Sequence, residues 1–182
     1  MKYTQAQIIE RQSKGEQIDF CLFWGHTASP NLITKTCFSQ WWLSKFEDEE
    51  GFVYQTAEHY MMAGKAKLFD DISTFEKILA TEYPKDVKAL GREVKKFDAE
   101  IWDKHKFEIV KNANFLKFSQ DEALKKFLLS TDNQVIVEAS PMDRIWGIGM
   151  GEMNANAKIA EKWRGENLLG FALMEVRDLL KK

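Results

Sequence analysis

From Thr56 to Leu129 the chain carries one helix signal after another, and this run limits the fold more than any other feature. Thr56 is a side chain that caps helix N-termini, and residues 57–69 follow with helical composition. Residues 72–80 form a second helical segment. Pro84 opens a third, running to about Leu90, because proline fits the first helical position. Residues 100–112 read as a fourth helix, ended by an Asn-rich break, and residues 121–129 as a fifth. A last helix is predicted over residues 167–180, where Leu169, Ala172, Leu173, Val176 and Leu180 recur at helical spacing. Residues 154–163 also have helical composition, and residues 3–14 suit a short surface helix.

Strand signals are few and short. Residues 20–24 (Phe-Cys-Leu-Phe-Trp) read as a buried strand ended by Gly25, followed by a turn-rich loop over 27–31. Residues 38–43 are aromatic and read as strand. An acidic turn at 47–51 precedes a short strand at 52–54, and residues 135–138 form another. The N-terminal pieces suggest a small, hairpin-like β element. There is no repeat, linker or low-complexity tract, so one domain spanning 1–182 is expected. A chain of this length buries roughly 70% of the surface it would expose unfolded, enough for a core without disulfides or structural metal.

Composition removes several function classes. The net charge of −2 argues against a general nucleic-acid binder. No apolar stretch has the length of a membrane span, and the first fourteen residues lack a signal-peptide pattern, so the cytoplasm is the expected location. Cys21 and Cys37 cannot build a disulfide framework. His26, His59 and His105 are scattered and neither cysteine has ligand spacing, so no metal site and no cofactor is expected. Walker and nucleophile-elbow motifs are missing. Most of the six Trp and thirteen Phe must be core, and some can serve as stacking faces for a planar ligand.

Three segments carry candidate chemistry. On the helix after Thr56, Glu58 shares a face with Met61, Met62, Lys65, Leu68 and Phe69. Two charges on an apolar stripe are costly unless paired or functional. Glu58 and Lys65 stand roughly 10.5 Å apart along the axis, far for an ion pair but suited to two ends of one ligand. The alternatives are a Glu that answers the helix dipole and a Lys that lays its stem on apolar surface. His59 points about 100° away from Glu58 and reads as structural or as a helper that orients loops. In the second segment, residues 140–151, alternate glycines (Gly147, Gly149, Gly151) free the backbone to approach a ligand, with Asp143 and Trp146 beside them. The alternative there is a flexible turn. In the third, Asn167 is placed to cap the last helix, whose N-terminus next to Arg164 suits a phosphate. A plain cap and a surface Arg are the alternative.

Taken together, these pieces resemble the NADAR family of YbiA-like proteins over about residues 20–180. The matching motifs are Glu58-His59-Tyr60 with Lys65; Gly91-Arg92, then Trp102; Asp143 to Gly149; and Gly165 to Gly170, followed by Leu173 to Arg177. One departure is Gln40, where family members often carry Asn after Phe-Ser. Another is the loop 151–163, longer than in YbiA. The resemblance implies an α+β fold, predominantly α, compact and multihelical with small β-hairpin elements. It also implies N-glycosidase activity. The substrate it suggests is a phosphoribosylamino-pyrimidine of early riboflavin synthesis or, as the alternative, ADP-ribose on guanine bases, including ADP-ribosylated nucleic acid.

Breaking a ribose C1′–N bond creates an oxocarbenium-like centre, which a carboxylate stabilises while water arrives on one face. On the resemblance and its unusual stripe, Glu58 is expected to orient or deprotonate that water. Asp143 is expected to hold ribose hydroxyls or take the second carboxylate role. Lys65, Arg92 and Arg164, with Asn167, are the phosphate candidates. Trp24, Trp102 and Trp146 are the base-stacking candidates, with Gly25 and Gly147 as close-approach backbone. Two further alternatives are a binding module for ADP-ribose or NAD, and an interaction protein without a ligand.

Overall fold

A computed structural model describes residues 1–27 and 32–181. All of the loop expected over 27–31 except Thr27 lies outside the described residues. The chain packs as two compact units. One is Met1–Ser39 with Ala123–Lys182, and the other is Gln40–Glu122. No helix among the described residues is long and apolar enough to cross a membrane.

The first unit holds α1 (Gln5–Ser13), β1 (Phe20–Phe23), most of α6 (Glu122–Leu129), β4 (Val135–Glu138) and α7 (Leu168–Leu180). β1 and β4 are parallel, with Phe20 opposite Val135 and Phe23 opposite Glu138. For β1 alone the hairpin expectation is corrected: its partner comes from more than a hundred residues further on. Buried Leu22, Phe23, Val135, Ile136 and Val137 make both strands core, which suits a parallel pair. α7 lies against β4, and Gly170 permits the approach. A Cβ there would sit 2.1 Å from the Ile136 carbonyl oxygen.

Residues 154–163 are not an α-helix. Only a 3-10 turn at Ala160–Lys162 forms. Side chains of α1 take the backbone groups instead. Gln5 donates to the Ala160 carbonyl at 2.8 Å, Gln12 donates to that of Lys158 at 2.6 Å, and Gln12 Oε1 accepts from the Ala160 N–H at 2.9 Å. A helix would consume those groups internally.

The second unit holds β2 (Phe46–Glu47), β3 (Val53–Tyr54), α2 (Ala57–Leu68), α3 (Ile72–Ala80), α4 (Pro84–Leu90) and α5 (Ala99–Gln120). β2 and β3 form the antiparallel hairpin around the acidic turn. α2 is central and packs on α3, α4 and α5. Two glycines allow the close crossings. A Cβ on Gly64 would meet Ile109 at 2.9 Å, and one on Gly91 would meet the Met62 sulfur at 1.9 Å.

Two expectations fail in this unit. The expected strand over 38–43 begins in a 3-10 turn (Lys35–Phe38) and continues as turn. In the part within this unit, the backbone is satisfied by the approach to α2. The Gln40 carbonyl accepts from the Glu58 N–H at 2.9 Å, and the Ser44 N–H donates to the Gln55 carbonyl at 3.0 Å. The fourth helix runs on through its Asn-rich break, because Asn114 Nδ2 donates to the Val110 carbonyl at 2.9 Å and to Gln40 Oε1 at 2.8 Å. Those bonds offset the low helix preference of asparagine.

Candidate functional site

In the second unit, Thr56 starts α2 with its hydroxyl accepting from the His59 N–H. Glu58 follows in the first turn and is 3% exposed. His59 is fixed from both sides. Its Nε2 faces the Thr81 carbonyl at 3.0 Å and must donate, so Nδ1 accepts from the Thr56 hydroxyl at 2.8 Å. Burial pushes the imidazole pKa down, and the ring ties the start of α2 to the end of α3. The structural reading of His59 therefore stands. Because the folded pKa lies below the unfolded value, its stabilising contribution is complete above about pH 6.5 and is lost as pH falls below it. Urea unfolding at pH 7.5 and 5.5 should show a steeper loss for the wild type than for His59→Gln, which keeps a donor toward Thr81.

Lys65 lies two turns further along α2. Its Nζ donates to the Gly91 carbonyl at 2.7 Å and sits 4.1 Å from the Phe97 ring centroid and 5.7 Å from that of Trp102. Burial pushes its ammonium below the usual lysine value. No carboxylate among the described residues pairs with it. Arg92, beside Gly91, is exposed, and Trp102 is half-buried. This unit thus brings Lys65, Trp102 and the Gly91-Arg92 turn together, and adds Phe97, which the sequence reading did not select.

In the first unit, β1 and β4 run the same way, so the chain leaves both at one end. Trp24 (60% exposed) and Gly25 (φ +81°) follow β1, and the 140–151 loop follows β4. Asp143 Oδ1 shapes that loop by accepting from the N–H groups of Ile145 at 2.9 Å and Trp146 at 2.7 Å. Oδ2 has no hydrogen-bond partner among the described residues. Trp146 is half-buried and Arg164 is exposed. Gly147 is buried, and a Cβ there would lie 2.7 Å from the Glu138 carbonyl, so its close approach is to the protein's own strand end.

Asn167 also differs from expectation. It is fully buried at φ +57°, and its side chain makes no cap bond to the helix. Its Nδ2 donates to the Ile136 carbonyl and its Oδ1 accepts from the Glu138 N–H, both at 3.0 Å. The N–H groups of Leu168 and Leu169 donate to the carbonyls of Ile145 and Trp146. The start of α7 is thereby occupied by the loop, and Asn167 staples β4 rather than presenting donors to a phosphate.

Lys117 lies beyond the helix expected over residues 100–112. It is fully buried on α5, on a face with Val110, Ala113, Asn114 and Phe118, and its Nζ lies 5.1 Å from the Phe118 ring. A lysine on an apolar stripe is the same signal that selected Glu58 and Lys65. Ending the helix at Asn112 hid it. Among the described residues, no group of three or more His, Cys, Asp or Glu is placed to hold a metal ion.

The model of the NADAR domain matches residues 22–181. Over 157 residues the chain is 48% identical to N-glycosidase R617 of Acanthamoeba polyphaga mimivirus, covering 84% of this chain and 92% of that protein. It is 30% identical over 131 residues to N-glycosidase YbiA of Escherichia coli (strain K12), covering 72% of this chain and 73% of that one. The NMR structure of the E. coli protein YbiA matches with a TM-score of 0.72 at 27% identity, over 91% of this chain and 86% of that one. A stretch covering 21% of the riboflavin biosynthesis protein PYRR, chloroplastic, of Zea mays is 32% identical over 140 residues, or 72% of this chain. The chain therefore belongs to the NADAR domain family, and it is a hydrolase, an N-glycosidase like the relatives so named.

Proposed function

We propose that the substrate is a ribose-phosphate joined through C1′ to the amino group of a pyrimidine, as in the phosphoribosylamino-pyrimidines of riboflavin synthesis. The observation that carries the mechanism is the buried Glu58 in the first turn of α2. The similarity to a relative named for riboflavin biosynthesis supports the choice of substrate.

Glu58 orients a water molecule and removes its proton as the water oxygen bonds to C1′. The C1′–N bond breaks with its electron pair going to nitrogen, which takes up a proton. The products are ribose 5-phosphate and the aminopyrimidine. Lys65 suits an anion: a cation held by one carbonyl and flanked by ring faces keeps further N–H groups to donate. Arg92, exposed beside Gly91, is a further phosphate ligand. Trp102 is assigned to the base.

Purified protein is incubated separately with a phosphoribosylamino-pyrimidine and with ADP-ribosylated guanine, and products are identified by mass spectrometry. Ribose 5-phosphate from the first alone is the expected result. ADP-ribose from the second alone would move the substrate to ADP-ribosylated bases. Lys65→Ala is expected to raise KM about tenfold or more with little change in kcat, as for loss of a group that binds substrate and transition state alike. An unchanged KM in steady-state assays would reduce Lys65 to a packing role.

A further inference from the structure

The first turn of α2 is braced by a pair of buried amides. Gln40 is 6% exposed and touches α2 twice. Its carbonyl accepts from the Glu58 N–H at 2.9 Å, and its side-chain Nε2 faces the Met61 sulfur at 3.9 Å. Asn114, fully buried on α5, holds the other end of that side chain, with Nδ2 donating to Gln40 Oε1 at 2.8 Å. The orientation of both amides is determined. Asn114 Nδ2 also meets the Val110 carbonyl at 2.9 Å, which accepts only from an N–H, so Asn114 is not flipped. Gln40 must then present oxygen to Asn114 and nitrogen to Met61.

This arrangement is a poor way to gain stability. Asn114 Oδ1 is buried and has no hydrogen-bond donor among the described residues. A buried carbonyl oxygen without a protein donor costs free energy, whereas two apolar side chains of the same shape would not carry that cost. What the amides supply is direction. They fix the Gln40 backbone, and the Gln40 carbonyl fixes the residue that carries the carboxylate.

We propose that Gln40 and Asn114 are positioning residues for Glu58, holding the first turn of α2 in the geometry that catalysis requires. The inference rests on Glu58 acting at the reacting carbon. It also gives Gln40 a role within the protein that does not require contact with substrate.

The test is the double variant Gln40→Met/Asn114→Leu, which replaces both amides by apolar groups of similar shape. Exchange of the Glu58 amide proton, followed by NMR, is expected to quicken at least tenfold, while the melting temperature stays equal or rises. On the phosphoribosylamino-pyrimidine, kcat is expected to fall at least tenfold with KM within twofold. Unchanged exchange overturns the bracing, whatever happens to kcat. Faster exchange with wild-type kcat overturns the catalytic need for it. Glu58→Gln, assayed in parallel, separates the two ideas. If that variant turns over normally, the role of Glu58 fails and the catalytic part of this proposal with it. If it is inactive while the double variant is fully active, only the positioning fails. Should the double variant not fold, Asn114→Leu alone is read by the same exchange and kcat criteria, with a lower melting temperature expected because Gln40 Oε1 then loses its donor.

Discussion

Glu58→Gln is expected to lower kcat by roughly 10² to 10⁴, the range that a positioned general base contributes, with KM changed by no more than a few-fold. The substitution preserves size and hydrogen-bonding reach but removes the charge. A neutral amide neither accepts the proton of the attacking water nor stabilises a positive centre at C1′. Substrate contacts assigned to Lys65 and Trp102 are untouched, which is why the loss should fall on kcat. Single-turnover kinetics would separate this from slow product release. Equal single-turnover rates for variant and wild type would remove Glu58 from the chemistry.

The second large effect is on stability. Gly170→Ala places a methyl group 2.1 Å from the Ile136 carbonyl oxygen and about as close to the Asn167 amide, at 2.5 Å and 2.6 Å. Neither neighbour yields cheaply. One is backbone in β4, and the other is the side chain that bonds β4 on two groups. Relief requires α7 to move off the strand, and we expect about 3 kcal/mol or more of destabilisation, at the upper end for overpacking. For a domain of this size that is a drop in Tm of roughly 6–12 °C. Gly151→Ala is the control, since its Cβ would meet nothing within 4 Å and its φ is ordinary. A thermal melt showing equal Tm for Gly170→Ala and wild type would mean that α7 does not lie so close to β4.

These two residues also show what the sequence made legible. Gly170 belongs to a motif that pattern alone presents as a spacer near a phosphate site. Its reason is steric and lies on a strand thirty-odd residues earlier. Glu58 and Lys65 could be singled out because a helix period put both charges on an apolar stripe, and periodicity is local information. The same holds for Thr56 at the start of α2 and Pro84 at the start of α4, where each residue acts on its own turn. Where side chains reach across the fold, local reading fails. Asn114 looked like a helix breaker, yet its amide spans to Val110 and Gln40, so α5 continues and carries Lys117 into the core. Residues 154–163 looked helical, yet glutamines of α1 hold them as turns. Asn167 looked like a cap, yet its side chain bonds a strand. The parallel partner of β1 was invisible for the same reason, since pairing across so long a separation leaves no mark in either strand.

Glycosidic cleavage that depends on Glu58 is tested most directly by mass spectrometry of phosphoribosylamino-pyrimidine incubated with wild type and with Glu58→Gln, with binding of the substrate to each measured alongside. We expect ribose 5-phosphate from the wild type and at most a trace from the variant, with both binding the substrate. Equal release by the two proteins, or binding without release by the wild type, would contradict it.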